Sequence, residues 1–271
     1  MKKHMEFLKF VRKRSFLSEF TYTVLNIALA VGVFLIVRYT DAVWFAIVLV
    51  VVSKWRVLAV RPRYWWANIQ SNMVDFIVSL SVVILMYTVN IQAAIGDTSK
   101  LFLLLGLTVA YIVWLLYIKP RSKRSYMALQ SGVAVFLGMS ALFTISFEWI
   151  ASLVVICAWL IGYSSARHIL NSYDDETHSL FIALAWGFVI AEISWISYHW
   201  AIAYPLPIFP SLMLPQAALA VTLISFLAYK VYDSFYHHAK VRMSDVLLPL
   251  LFTLSVLVVI LIIFNRVGTA I

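Results

Sequence analysis

Charged side chains are scarce in this sequence. Asp, Glu, Lys and Arg together make up 12% of the 271 residues, whereas hydrophobic residues make up 63%. A soluble domain carries about 25% charged residues. A chain this apolar cannot hide its side chains in a single water-excluded core, because too much surface remains to be covered. The shortage of charge therefore excludes an ordinary soluble domain and predicts an integral membrane protein.

Cysteine pairs and the common catalytic motifs are also missing. Cys157 is the only cysteine, so a disulfide or a cysteine-based metal site within one chain is excluded. The sequence has no Walker phosphate loop, no G-x-G-x-x-G, no H-E-x-x-H and no G-x-S-x-G elbow. These absences leave no standard motif for nucleotide chemistry, zinc hydrolysis or serine catalysis, and no cofactor is inferred from them.

Long apolar runs dominate what is present. A bilayer core of about 30 Å needs about 20 apolar residues for each crossing helix. Nine candidate spans satisfy this or come close: 20–38, 42–60, 73–94, 101–118, 127–146, 149–167, 179–203, 209–231 and 244–264. The second is the least regular, because Lys54 and Arg56 interrupt it. We predict an all-α, polytopic bundle of about nine transmembrane helices, with residues 20–271 forming a single domain.

The basic residues predict an orientation. If the N-terminus is cytoplasmic, only Arg38, Lys100 and Arg266 of the 21 basic residues lie outside. Cytoplasmic loops carry the excess of Lys and Arg in most membrane proteins. We therefore predict a cytoplasmic N-terminus, an outside C-terminus and residence in the inner cell membrane. Residues 1–19 are expected to form a basic amphipathic segment on the cytoplasmic leaflet.

The net charge of +9 does not indicate nucleic-acid binding. The basic residues lie in short clusters between apolar runs, where they meet the bilayer and its anionic headgroups. The expected partners are therefore lipids. A membrane partner subunit or a second copy of the chain is the other class of partner that such a bundle accommodates.

Glu192 lies near the middle of the seventh predicted span. A carboxylate at that depth is costly unless it is protonated, paired or facing a polar cavity. Trp195 and His199 follow at spacings of three and seven, so all three share one helix face. This face predicts an intramembrane polar site for a proton or a cation. The alternative is a structural Glu that bonds to a neighbouring helix.

A second candidate is the loop between the sixth and seventh spans, the one acidic inner loop of the sequence. Its carboxylates and imidazole could hold a divalent cation that bridges a diphosphate. Alternatively, they cap the next helix and face the positive end of its dipole. The residues of this candidate metal or diphosphate loop are Asp174, Asp175, Glu176 and His178.

A third candidate lies between the second and third spans. Basic residues there, followed by polar residues on one helix face, could bind anionic headgroups. The alternative is that they only set topology and cap a helix. The residues of this candidate headgroup site are Lys54, Arg56, Arg61, Arg63, Asn68, Asn72 and Asp75.

Three functional hypotheses follow from these features. The first is a small-solute or ion-coupled transporter, permease-like, with its polar site around Glu192. The second is a membrane scaffold or partner subunit without catalysis. The third is a membrane enzyme that acts on a lipid-linked or diphosphate substrate at the cytoplasmic face with a divalent cation. No residue in the sequence stands out as catalytic.

Overall fold

The computed structural model of the chain describes residues 2–40, 42–173, 176–200, 202–205 and 213–263. Helices account for 83% of the chain, which confirms the predicted all-α bundle. Within the described residues, eight helices are long and apolar enough to cross a bilayer. The helices are α1 Lys2–Tyr39, α2 Val43–Ser53, α3 Trp65–Ile91, α4 Asp97–Val113, α5 Arg124–Ile145, α6 Ala151–Leu170, α7 Ser179–His199, α8 Gln216–His238 and α9 Met243–Val258.

The second predicted span differs from expectation. Helix α2 covers only Val43–Ser53, an apolar segment of 11 residues, or about 16 Å at 1.5 Å per residue. It ends where Lys54 turns inward to a carboxylate on α3. A 3₁₀ turn at Trp55–Val57 and a second at Pro62–Tyr64 then lead into α3. The charge that interrupts the apolar run is therefore also what ends the helix.

Helices α1 to α4 form the first half of the bundle around one apolar core. Arg38, near the end of α1, contacts Asn90 near the end of α3 and Asp97 at the start of α4. At the opposite end, the hydroxyl of Tyr22 donates to the carbonyl of Leu115 at 3.1 Å. Helices α1 and α3 therefore run in the same direction, and α2 with its two turns returns the chain between them.

Helices α6 and α7 make the closest approach in the second half. A Cβ at Gly162 would lie 2.8 Å from Cδ1 of Ile190 and 3.2 Å from Cα of Gly187. A Cβ at Gly187 would lie 3.1 Å from the carbonyl oxygen of Trp159. Small residues let helix backbones approach closely in membranes. The two glycines therefore set the spacing of this pair.

Gln130 on α5 connects the two halves. Its amide nitrogen donates to the carbonyls of Ile118 at 2.7 Å and Arg121 at 2.8 Å, which follow α4. Its amide oxygen lies 2.6 Å from Nε2 of His168 on α6. Carbonyls at a helix end have no partner within the helix. One buried glutamine thus donates hydrogen bonds to the free carbonyls after α4 and holds that end against α5 and α6.

A short antiparallel pair of strands precedes α8. Strand β1, Ala203–Pro205, pairs with β2, Met213–Pro215. Gln216, the first residue of α8, donates to the hydroxyl of Tyr204 at 2.6 Å and to the carbonyl of Ile260 at 3.1 Å. Ile260 belongs to the π-helical turn Val259–Ile263 that follows α9. The hairpin is thereby fixed to the end of the last helix.

Candidate functional site

A cavity of about 1030 Å³ lies among α5, α6, α7, α8 and α9. Its volume is at the upper end of the roughly 300–1,000 Å³ typical of ligand sites. Small residues on α5 leave part of this space open, notably Ala128 and Gly132. A Cβ at Gly132 would meet no atom within 4 Å. The cavity is a groove that opens to the outside of the bundle, since Leu129 and Phe226 in its lining are exposed.

The lining of the cavity is apolar along most of its length. Leu129, Val133, Val189 and Phe226 are examples from three of its helices. The hydroxyl groups of Ser131 and Thr222 donate to the carbonyls of Ser165 and Ala218, at 2.9 and 2.6 Å, so their protons are already engaged. Water needs two to four polar partners to occupy an internal site. The middle of this cavity offers few of them, because in its lining only the buried hydroxyls of Ser165 and Ser225 lack a hydrogen-bond partner among the described residues.

One end of the cavity is polar. Ser125, Tyr229, Lys230 and Tyr232 line it there. Among the described residues that line the cavity, Lys230 alone is charged. Its Nζ lies 5.6 Å from the ring centroid of Tyr229, and no described carboxylate forms an ion pair with it. The cavity thus has an apolar body and a cationic end.

A network of aromatic and charged residues lies beside this polar end. The guanidinium of Arg124, at the start of α5, lies 4.3 Å from the ring centroid of Tyr173. Tyr173 donates from its hydroxyl to Oδ1 of Asp233 at 2.9 Å, and Arg124 lies 3.9 Å from the same oxygen. Burial, followed by this hydrogen bond, raises the pKa of Tyr173 above its usual range. The network joins α5, the loop after α6 and α8.

The acidic loop reaches the same place. The hydroxyl of Tyr232 donates to Oε2 of Glu176, and the backbone N–H of His178 donates to its Oε1 at 2.7 Å. The hydrogen bond from Tyr232 is the main reason that the pKa of Glu176 falls below its usual value. Asp174 and Asp175 lie outside the described residues. Among the residues described, no group of three potential metal ligands is present.

A buried ion cluster lies in the first half of the bundle. Oδ2 of Asp75 accepts from Lys54 and lies 2.7 Å from Nζ of Lys119. Its Oδ1 accepts from Nε1 of Trp114 at 3.1 Å. Only 8% of the Asp75 side chain and 6% of the Lys54 side chain are exposed. Two ammonium groups thus share one carboxylate, with an excess of one positive charge.

Helix α4 positions two members of this cluster by ending in a π-helical turn, Trp114–Ile118. The N–H of Lys119 donates to the carbonyl of Trp114 at 2.9 Å across that turn. Lys54 also donates to the hydroxyl of Ser79 at 3.0 Å. Tyr111 is fully buried nearby, with its hydroxyl beside that of Ser79. The cluster connects α2, α3 and α4.

The candidate headgroup residues are divided by the structure. Lys54 and Asp75 lie in the buried cluster, whereas Arg56, Arg61 and Arg63 are exposed. The amide of Asn68 donates to the carbonyl of Val57 at 2.6 Å, and Asn72 donates to the carbonyl of Asn68 at 2.8 Å. The two asparagines therefore satisfy local backbone, and the three arginines alone remain open to headgroups.

Glu192 lies on the exposed surface of α7. No described residue makes a hydrogen bond or an ion pair with its carboxylate. It follows Ala185, which lines the cavity, by seven residues, so it lies two turns further along nearly the same face. Trp195 and His199 are also exposed; their rings lie 5.0 Å apart, and Nδ1 of His199 contacts the carbonyl of Trp195 at 2.8 Å. The three residues therefore share an outer face of α7, and none of them lines the cavity.

Comparisons with known proteins identify no relative of this chain. No family model matches it, and neither a curated protein nor a solved structure does.

Proposed function

We propose that the chain is a permease-like membrane protein that takes a molecule with a hydrocarbon tail from the bilayer into the cavity among α5 to α9. The observation that carries the proposal is the apolar lining of a cavity of about 1030 Å³ within a bundle of membrane-spanning helices. This substrate class differs from the small solute or ion predicted from the sequence.

The occupant follows from the chemistry of the lining. An unfilled groove of this size leaves its apolar walls without the dispersion contacts that an occupant would provide. Water gains little there, because the lining offers few polar partners besides the hydroxyls of Ser165 and Ser225. Hydrocarbon gains the dispersion contacts, and it is the material that surrounds the bundle in a bilayer. A lipid tail is therefore the occupant that the lining favours.

The orientation belongs to the same proposal. With the N-terminus in the cytoplasm, α2 and its two turns complete a ninth crossing, and the C-terminus faces outward. The basic segments then lie at the cytoplasmic face of the inner membrane, as the positive-inside rule expects. The polar end of the cavity, at Ser125 and Lys230, lies toward that face, because Lys123 and Arg124 precede Ser125 in a predicted inner loop.

Coupling to an ion gradient through Glu192 is a separate element of the proposal. Its support is position along α7: Glu192 lies on nearly the same face as Ala185 and three residues beyond Val189, the last α7 residue of the lining. A carboxylate in hydrocarbon is costly, and ionisable residues inside membranes usually serve a function.

An enzyme acting on a lipid-linked substrate is the second candidate. The hydrogen bond between Tyr232, which lines the cavity, and Glu176 favours it, because it brings the acidic loop to the polar end of the cavity. A metal-dependent enzyme should be stabilised by Mg²⁺ or Mn²⁺, and Asp174→Ala combined with Asp175→Ala should remove that effect.

Translocation of a fluorescent phospholipid between the leaflets of liposomes tests the proposal. Gly132→Phe places a ring in the cavity without a backbone clash, and it should abolish translocation. Gly106→Phe is the matched control, because Gly106 is exposed on α4 and a Cβ there also meets no atom within 4 Å. If the unmodified protein does not translocate the lipid, the proposed transport function is wrong. A scaffold would show no translocation and no effect of Gly132→Phe.

A further inference from the structure

We propose that the cavity selects an anionic lipid and that Lys230 binds its headgroup. The inference rests on the proposed function, since it names the class of the molecule that the cavity takes up. The shared chemistry is a phosphate or a carboxylate attached to a hydrocarbon tail. Lys230 is the residue through which this charge is recognised.

The dimensions of the cavity match one leaflet of a bilayer. Its lining on α5 extends from Ser125 to Leu137, about 18 Å at 1.5 Å per residue. Half of a hydrocarbon core of about 30 Å is about 15 Å. A lipid of one leaflet, with its headgroup at the Ser125 end, therefore reaches the apolar end with its tail.

The headgroup end is set by the contact between α5 and α8. Arg124, which precedes Ser125, lies 3.0 Å from Nε2 of His237 near the end of α8. The start of α5 therefore lies beside the last turns of α8. Tyr229 and Lys230 belong to that part of α8 and line the cavity together with Ser125. A headgroup at this end meets an ammonium and hydroxyl groups.

The expected charge of the headgroup is negative, because the carboxylates near this end of the cavity already have partners. Asp233 is engaged by Tyr173 and Arg124, and Glu176 by Tyr232 and the N–H of His178. Arg124 itself lies over two aromatic rings, those of Tyr173 and Tyr236. A cationic headgroup would have to displace these partners. Lys230 has no described carboxylate partner, so an anionic headgroup completes a pair without breaking one.

Long lysine side chains often extend along apolar surface with the ammonium at the interface. Lys230 fits this description. It lines the cavity from α8, and its ammonium lies near the ring of Tyr229. A surface lysine would attract anionic lipid in general, whereas a lysine in the cavity lining selects the lipid that enters. This difference makes the inference testable with a control lysine.

The test counts the lipids retained by the full-length protein after reconstitution. Vesicles contain equal amounts of phosphatidylcholine and phosphatidylglycerol with identical tails, and retained lipids are identified by native mass spectrometry. The unmodified protein should retain phosphatidylglycerol over phosphatidylcholine by about tenfold, as a charge-assisted contact predicts. Lys230→Gln should abolish this preference, and Lys230→Arg should keep it. Lys240→Gln, at an exposed lysine beyond α8, is the matched control and should change nothing.

A second arm of the experiment asks whether a carboxylate can replace the phosphate of the headgroup. Oleic acid and oleyl alcohol replace the phospholipids, and preference for the acid identifies a free carboxylate as sufficient. Equal retention of charged and neutral lipids in both arms by the unmodified protein overturns the inference, as does a preference that survives Lys230→Gln. If Gly132→Phe still prevents retention in that case, the cavity binds tails without selecting charge, and the proposed function stands without this inference.

Discussion

Lys119 and Lys54 contact the same oxygen of Asp75, with Nζ of Lys119 at 2.7 Å from Oδ2. The pair of ammonium groups is separated in the chain but shares one buried counter-charge. The carboxylate is therefore the element that holds the end of α2 and the turn after α4 against α3. Its loss would leave two positive groups facing each other in an apolar environment.

Asp75→Asn should strongly destabilise the protein. Removing one partner of a buried ion pair costs about 3–5 kcal/mol, because the remaining charge loses its partner without regaining water. The measurement is thermal unfolding in detergent. Asp97→Asn is the matched control: the side chain of Asp97 is 79% exposed in its ion pair with Arg38, and such pairs contribute less than about 1 kcal/mol. Equal effects of the two variants would contradict the role given to Asp75.

The close approach of α6 and α7 should not tolerate a large side chain. Gly187→Leu should lower the free energy of unfolding by about 1–3 kcal/mol, the usual cost of overpacking, because a Cβ already lies 3.1 Å from the carbonyl oxygen of Trp159. Gly106→Leu serves as its control, since the space around Gly106 is open. Unfolding temperatures measured in detergent compare the two. Comparable stability for both variants would argue against backbone contact between α6 and α7.

The bond between Tyr232 and Glu176 should give a pH dependence. Because the hydrogen bond lowers the pKa of Glu176 in the folded protein from 4.5, its stabilisation is present above pH 4.5 and is lost as the pH falls below that value. Tyr232→Phe removes the donor. The unfolding temperatures of the two proteins should therefore differ near neutral pH and converge in acid. A difference that stays constant from neutral pH into acid would exclude this origin.

Glu192→Gln should leave the fold intact, since no described residue binds the carboxylate. The unfolding temperature should match that of the unmodified protein, whereas the proton dependence of lipid translocation should disappear. Both are measured in the same preparation, the second with an imposed pH gradient across liposomes. If the variant keeps the proton dependence, Glu192 is not part of the mechanism. If the variant is much less stable, Glu192 makes a structural contact instead.

The apolar runs predicted the fold class well, because a helix must satisfy its own backbone in lipid whatever it packs against. Eight of the predicted spans correspond to long apolar helices. The second span was the exception: the charges that interrupt it ended the helix after Ser53. Which side charged loops occupy stays a prediction, since it depends on the membrane and not on packing within the chain.

The sites were harder to predict, because they depend on which helix faces meet. Asp75 and Lys54 were grouped as headgroup ligands, yet the third member, Lys119, is far away in sequence and resembled an ordinary topogenic charge. The cavity left a weaker signal: Ser125, Ala128 and Gly132 place small side chains along one side of α5. Such a stripe is equally typical of close helix packing, so only the arrangement of the neighbouring helices distinguishes the two.

The central claim, that a lipid tail occupies the cavity among α5 to α9, is tested most directly by photo-crosslinking. A phospholipid with a diazirine in its tail is reconstituted with the protein, irradiated, and the labelled residues are identified by mass spectrometry. We predict labels on Val133, Phe136 and Leu223, half-buried residues of the cavity lining, lost in Gly132→Phe and retained in Gly106→Phe. Labels confined to outward-facing residues such as Phe102 on α4, or cavity labels unchanged by Gly132→Phe, would contradict the account.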